Sequence, residues 1–351
     1  MIPKIHPTFK LNGHSLNHEG VMIVAYSYIK EGEEWEKQIG DFLLSWLDNF
    51  EVVTVRTSGS TGVPKEYKLD KQHMINSAVM TGKYFNIGAE KDVLCCLPLS
   101  YIAGKMMMVR AMTLGWHLDL VQPSTTPLRK AEKRYDFTAM SPLQVSKSLD
   151  DIHKARKVII GGGAVSQGLI EKLKGKHTKA FHTYGMTETS SHIAVRELYP
   201  TYEENYTVLE NVQIEKDKEN RLVIHAPQLA RTSLVTNDLV ELINDKQFKV
   251  LGRVDDVINT GSVKVHPAQV EQKLSHHISE SFFISGKADE ELGQKVILII
   301  EGKERNVQQA FQKLGKFETP KEIHFVDKFA LTHTGKMDKR VILEKLFSDH
   351  R

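Results

Sequence analysis

The sequence predicts an α/β protein: a large N-terminal domain built on covered mixed and parallel sheets, followed by a small α+β C-terminal domain. Three observations carry this. Strand-like and helix-like runs alternate from Val52 to His182, the pattern of strands joined through helices. After about Arg231 the texture changes to short, charge-rich strands. The string Gly252-Arg253-Val254-Asp255-Asp256 then leads into a compact mixture of short helices and strands, so the boundary is placed to give domains of residues 1–254 and 255–351.

The elements follow from periodicity. Trp35, Ile39, Phe42, Leu43, Trp46 and Phe50 recur at spacings of three, four and seven within 32–50, an amphipathic helix. Val52, Val53 and Val55 read as a strand entering a Gly/Ser/Thr loop, and 66–70 as the strand leaving it. Residues 92–97, 117–121, 136–140, 157–160 and 179–182 read as strands, and 102–114 as a helix. Ser166 caps a further helix that Gly175 can end. In the second domain, 267–274, 307–314 and a segment from Met337 read as helices; 282–285, 296–300 and 323–326 read as strands.

Composition narrows the function classes. The chain has 351 residues, 40% hydrophobic and 26% charged, enough for a buried core without disulfides or structural metals. Lys and Arg number 47 against 44 Asp and Glu, a net charge of +3. That excess is too small and too dispersed to argue for nucleic acid. No apolar run has the length of a membrane span, and the opening MIPKIHPTFK lacks a signal-peptide core, so the cytoplasm is the expected compartment. The only cysteines, Cys95 and Cys96, are adjacent on a strand and so point to opposite faces, which suits neither a zinc site nor an ordinary disulfide. A homo-oligomer is left open.

The chemistry-bearing strings are loops. Thr57-Ser58-Gly59-Ser60-Thr61-Gly62-Val63-Pro64-Lys65 gathers hydroxyls, unhindered amides and one ammonium, groups suited to phosphate oxygens. Pro64 and the following strand distinguish it from the kinase-type loop, which ends Gly-Lys-Ser/Thr and opens a helix. Alone, the string also reads as a Ser/Gly-rich linker. Downstream come Gly161-Gly162-Gly163-Ala164, Tyr184-Gly185-Met186-Thr187-Glu188, Thr236-Asn237-Asp238, Gly252-Arg253-Val254-Asp255 and Thr332-His333-Thr334-Gly335-Lys336. Taken singly, Asp238 is an ordinary turn residue, Arg253 a surface ion-pair member, Lys336 a solvated lysine and Glu188 a surface carboxylate. Their common order lifts them above those readings.

In these strings and their order, from Thr57 to Arg340, the sequence resembles the adenylate-forming superfamily of acyl-CoA synthetases, aryl-CoA ligases, luciferases and nonribosomal-peptide adenylation domains. The resemblance implies an enzyme that uses ATP and Mg²⁺ to make an acyl-adenylate from a carboxylic acid, then passes the acyl group to CoA. It implies that Thr57, Ser58, Gly59, Ser60, Thr61, Gly62 and Lys65 close over the β- and γ-phosphates. Gly161, Gly162 and Gly163 line the acyl pocket and lie beneath adenine, and Tyr184 packs on it; Asp238 and Arg253 hold the ribose. Thr187 meets the α-phosphate, Glu188 holds Mg²⁺, and Lys336 bridges carboxylate and α-phosphate. Asp255 takes the hinge position, so the resemblance also implies that the small C-terminal domain is mobile.

Around the acid, 97–104 and 184–192 look most like the o-succinylbenzoate–CoA ligases of menaquinone biosynthesis. Such a substrate carries a second carboxylate, so a cation or several donors are expected in the pocket. Ala103, Gly104, Lys105, His182, Gly185, Ser190, Ser191 and His192 are the candidates, though Ser190 and Ser191 also suit helix capping. Another aryl- or fatty-acid ligase, one loading a carrier protein, or a non-catalytic nucleotide-binding relative are the alternatives. Only about fifty residues precede the phosphate loop, against a longer portion in most relatives, so part of the large domain is expected to be reduced. Thr260-Gly261-Ser262-Val263 replaces the family's Ser-Gly-Gly-Glu in the thiol channel, with Ser262, Lys264 and His266 as residues that could meet CoA.

Overall fold

A computed structural model describes residues 2–57, 65–332 and 337–348. The chain divides into two compact units, the first comprising Met1–Ala164, Leu173–Gln213 and Ile224–Leu234, the second Val165–Lys172, Ile214–Val223 and Val235–Arg351. The second unit thus begins upstream of Asp255, taking in the charge-rich strands. Among the described residues no helix is long and apolar enough to cross a membrane.

The elements in order are β1 Lys10–Leu11, β2 His14–Ser15, α1 His18–Glu31, α2 Glu34–Leu47, β3 Val52–Thr57, β4 Lys65–Asp70, α3 Lys71–Phe85, β5 Asp92–Cys95, α4 Ile102–Leu114, β6 His117–Leu120, β7 Phe137–Met140, α5 Pro142–Lys147, β8 Lys157–Ile160, α6 Gln167–Leu173, β9 Lys179–Gly185, β10 His192–Tyr199 and β11 Tyr206–Val208. The remainder are β12 Gln213–Lys216, β13 Arg221–His225, β14 Leu234–Leu242, β15 Gln247–Arg253, β16 Ile258–Thr260, β17 Val263–Val265, α7 Pro267–Leu274, β18 Phe282–Asp289, β19 Gly293–Glu301, β20 Glu322–Val326 and α8 Lys339–Ser348.

In the first unit β6, β5, β7, β8 and β9 are consecutive parallel neighbours, and β10 pairs antiparallel on β9. Every residue of β7 is buried, as a strand covered on both faces must be. The amphipathic pattern of α2 is realised, with Ile39, Phe42, Leu43, Trp46 and Leu47 inward and a capping box between Glu33 and Glu36 at its start. α4 is buried nearly all round, from Met106 through Met112, and ends at Gly115 in the left-handed conformation (φ 72°). Phe137 has no exposed surface and packs its ring 5.4 Å from Phe85 and 5.6 Å from Trp116. Phe137→Ala is expected to lower unfolding free energy by about 3–5 kcal/mol, read as a fall in the urea midpoint at unchanged slope.

The second unit contains a five-stranded sheet, ordered β17-β16-β19-β18 with β20 parallel on β19. Alternation along β18 and β19 serves two cores: Ile284, Val296, Leu298 and Ile300 face α7, whereas Phe283, Ile297 and Ile299 face Phe329 and Ile342 of α8. The segment expected as a helix over 307–314 is instead a 3-10 turn over Gln308–Lys313, short enough that the costly first α-helical turn is not repaid.

Candidate active site

The parallel strands all deliver loops from their carboxyl ends, the side on which α/β sheets bind ligands. β5 is followed by Leu97–Tyr101, β8 by Gly161–Ala164, and β9 by Met186–Ser191. Two glycines let these loops cross closely. A Cβ on Gly104 would stand 2.3 Å from Pro98 O, and one on Gly185 would stand 2.4 Å from both His192 Cα and Ser191 O. Both contacts are with backbone, so neither position accepts a side chain without moving the chain.

The Gly161–Ala164 loop is tied to the sheet by His182. His182 Nε2 donates to Gly163 O at 3.0 Å, while Nδ1 accepts from the Tyr206 hydroxyl at 2.8 Å and lies 3.3 Å from Arg196 Nη2. Burial, then the nearby Arg196 charge, pushes the imidazole down to about 4, so it is neutral at physiological pH. Tyr184 is half-buried beside this loop, its ring 5.7 Å from that of Tyr206.

Beyond Gly185 the chain makes a 3-10 turn, Thr187–Thr189, and Ser190 takes a positive φ of 61°. Thr189 Oγ1 accepts from Met186 N–H at 3.2 Å and reaches Ser191 O at 2.7 Å, closing the turn. Ser190 and Ser191 therefore join a turn to β10 and cap no α-helix. Glu188 is half-buried and accepts a hydrogen bond from the Tyr67 hydroxyl of β4, which with desolvation raises the Tyr67 pKa. β4 pairs with β3 in full antiparallel register from Thr57↔Lys65 to Val52↔Asp70, so the phosphate-type loop joins two strands as expected. Its residues Ser58, Gly59, Ser60, Thr61 and Gly62 lie outside the described residues, as does Lys336.

Sequence reasoning missed Arg110. It sits on α4, 2% exposed, and donates to Ser191 Oγ at 2.5 Å and to Thr81 Oγ1 at 3.2 Å. No carboxylate lies within ion-pair distance of it among the described residues. Burial pushes its pKa down to about 9, leaving it charged at neutral pH. Lys105, the cation expected in this region, instead stands over the Phe42 ring of α2 at 5.0 Å, and burial depresses its pKa to about 8. Ala103 lies in the first turn of α4 beside Gly104. Thus Arg110, Ser191 and His192 converge, and Lys105 does not join them.

In the second unit Asp238 and Arg253 are register partners across β14 and β15, with Arg253 Nη1 3.9 Å from Asp238 Oδ1 and Nη2 3.4 Å from Asp255 Oδ2. Asn237 Nδ2 donates to Asp255 Oδ2 at 3.0 Å, so Asn237 and Arg253 meet at one carboxylate. Gly261 and Ser262 form a two-residue hairpin turn with φ of 56° and 67°, joining β16 to β17. Lys264 is exposed on β17, and His266 precedes α7 with a buried Nδ1 that has no hydrogen-bond partner among the described residues.

A covered parallel sheet with glycine- and hydroxyl-rich loops at its carboxyl edge defines a ligand-binding α/β protein, and comparison with known proteins narrows this. Residues 45–216 match the family of AMP-binding enzymes. The chain is 33% identical to an acyl-CoA synthetase (AMP-forming)/AMP-acid ligase II-like protein from Dyadobacter fermentans, covering 93% of this chain and 98% of that one at a TM-score of 0.61. It is 27% identical to 2-succinylbenzoate–CoA ligase of Bacillus cytotoxicus, over 83% of this chain and 69% of the relative. It shares the fold of o-succinylbenzoate CoA synthetase from Bacillus subtilis in complex with its acyl-adenylate intermediate, at a TM-score of 0.70 and 21% identity over 82% of this chain and 68% of that one. The chain belongs to the AMP-binding enzyme family of AMP-forming acyl-CoA synthetases.

Proposed function

We propose that this chain activates o-succinylbenzoate with ATP and transfers the acyl group to CoA, the acid–thiol ligation named for its relatives in menaquinone biosynthesis. In the first step a carboxylate oxygen attacks the α-phosphorus, and the bond to pyrophosphate breaks. In the second the CoA thiolate attacks the acyl carbon and AMP leaves. Both steps bring anions together, so the protein's task is to supply positive charge and alignment.

The observation that carries the choice of acid is Arg110. A guanidinium buried to 2% exposure whose partners among the described residues are all neutral is a costly arrangement unless a ligand brings the anion. A dicarboxylic acid does so: one carboxylate reacts while the other lies against Arg110, Ser191 supporting the guanidinium. In this reading Tyr184 and the Gly161–Ala164 loop, fixed by His182, take the adenine; Asp238 and Arg253 take the ribose. Thr187 meets the α-phosphate, residues 57–65 enclose the outer phosphates, and Lys336 approaches the reacting carboxylate. Mg²⁺ arrives with ATP, where it screens phosphate charge. Glu188 fits it as a single half-buried carboxylate, in keeping with an ion that takes most of its ligands from phosphate and water. Asp255 serves as the pivot between the half-reactions, and Ser262, Lys264 and His266 face CoA. The buried, unbridged Cys95 and Cys96 fit a reducing compartment, the cytoplasm.

ATP–pyrophosphate exchange across a panel of acids tests this. Exchange with o-succinylbenzoate should exceed that with benzoate or octanoate by at least about tenfold, the worth of one buried charged hydrogen bond. No exchange with o-succinylbenzoate removes the reading.

A further inference from the structure

The groups behind Arg110 form a hydrogen-bonded circuit in which the protons of Thr81, Ser191 and His192 can be assigned. A guanidinium only donates, so Ser191 Oγ accepts from Nη2 at 2.5 Å and Thr81 Oγ1 accepts from Nε at 3.2 Å. Nη1 points at Met107 Sδ, 3.8 Å away. The Thr81 proton goes to Ser77 O at 2.9 Å. Ser191, having accepted from Arg110, keeps its own proton to give, and His192 Nδ1 lies 3.3 Å from its oxygen. Nδ1 is therefore the acceptor, which leaves the ring proton on Nε2, facing Thr81 Oγ1 at 3.5 Å. The ring is 5% exposed and stands edge-on to Phe85 at 6.2 Å, and burial followed by the Arg110 charge drives its pKa well below the usual histidine value.

We propose that His192 is a positioning residue for the acid's second carboxylate: as a neutral Nε2–H imidazole it orients the Ser191 hydroxyl and, with Thr81, fixes the plane of the Arg110 guanidinium. The inference rests on the reading of Arg110 given above. Its logic is electrostatic. A carboxylate at position 192 would consume the guanidinium's charge, and a cation would repel it. A neutral ring that both accepts and donates holds the fork in place and leaves its charge for the incoming acid.

The test compares o-succinylbenzoate with 3-benzoylpropionate, the same molecule with its ring carboxylate replaced by hydrogen. In His192→Phe, which keeps the aromatic packing but neither nitrogen, KM for o-succinylbenzoate should rise about tenfold or more, the effect of a weakened charged hydrogen bond. KM for ATP and for 3-benzoylpropionate should stay within about threefold. His192→Asn, whose amide oxygen can replace Nδ1 as acceptor, should recover most of the lost affinity. Thr81→Val should shift o-succinylbenzoate in the same direction as the Phe variant, and these two carry the test if His192→Phe fails to fold. Equal rises for both acids, a rise for ATP, or an Asn variant no better than Phe would overturn the proposal in favour of plain packing. The outcomes also separate the inference from its foundation. If Arg110→Met weakens o-succinylbenzoate while the His192 and Thr81 variants do not, this inference alone falls; if Arg110→Met changes nothing, the reading of Arg110 falls and takes the inference with it.

Discussion

Arg110→Met is expected to raise KM for o-succinylbenzoate by roughly a hundredfold or more, while KM for ATP stays within about threefold. The magnitude follows from the environment. A carboxylate paired with a guanidinium that is 2% exposed has given up its water, and removing the partner leaves that loss uncompensated. Methionine matches the length of the apolar stem among Met106, Met107, Met108 and Met112, so packing is conserved and the effect is one of charge. The free protein should respond oppositely. Without ligand, Arg110 is a buried charge held by Ser191, Thr81 and a thioether, so the variant melts at a higher temperature than the parent. Steady-state kinetics with both acids and a thermal melt check the pair. A variant that loses affinity and stability together would mean that Arg110 is structural.

Lys336→Ala, on the role proposed for it, is expected to slow adenylation by about a hundred- to a thousandfold and to leave thioester formation from supplied acyl-adenylate within about threefold. The carboxylate and the α-phosphate repel as they approach, and an ammonium between them lowers that barrier only in the first step. In the second step the attack is on carbon and the phosphate is leaving, so the lysine has no role. Pyrophosphate exchange measures one half; single-turnover transfer from synthetic acyl-adenylate to CoA measures the other. Equal losses in both would contradict the assignment of Lys336.

The helix and strand pattern was legible where one period dominated. The expected helices over 102–114 and 267–274 and the strand over 157–160 match the elements found. α1 was not identified, because VMIVAYSYI is rich in β-branched and aromatic residues and the helix buries only Val21 and Ala25, too few to set a stripe. β9 runs past His182 to Gly185 because it is paired along its length by β10, a long-range contact that local sequence does not announce. Motif order alone nominated Tyr184 and Glu188 in the first unit and Asp238 and Arg253 in the second, and the last two are register partners across one strand pair. Arg110 was overlooked because a helix apolar on every side has no polar face against which a charge looks misplaced. The usable signal was chemical: one arginine amid the apolar Met106–Met112 run must have a partner.

Cys95 and Cys96 have a bearing on yield. An acyl-adenylate is a mixed anhydride that any thiolate can attack, so a reactive cysteine nearby would steal the acyl group before CoA arrived. Cys95 Sγ reaches Gly104 O at 4.0 Å, on the segment proposed to flank the acid, yet burial pushes both thiols up to about 12. At neutral pH they remain protonated and shielded, so the chain's only sulfhydryls offer the intermediate no rival acceptor.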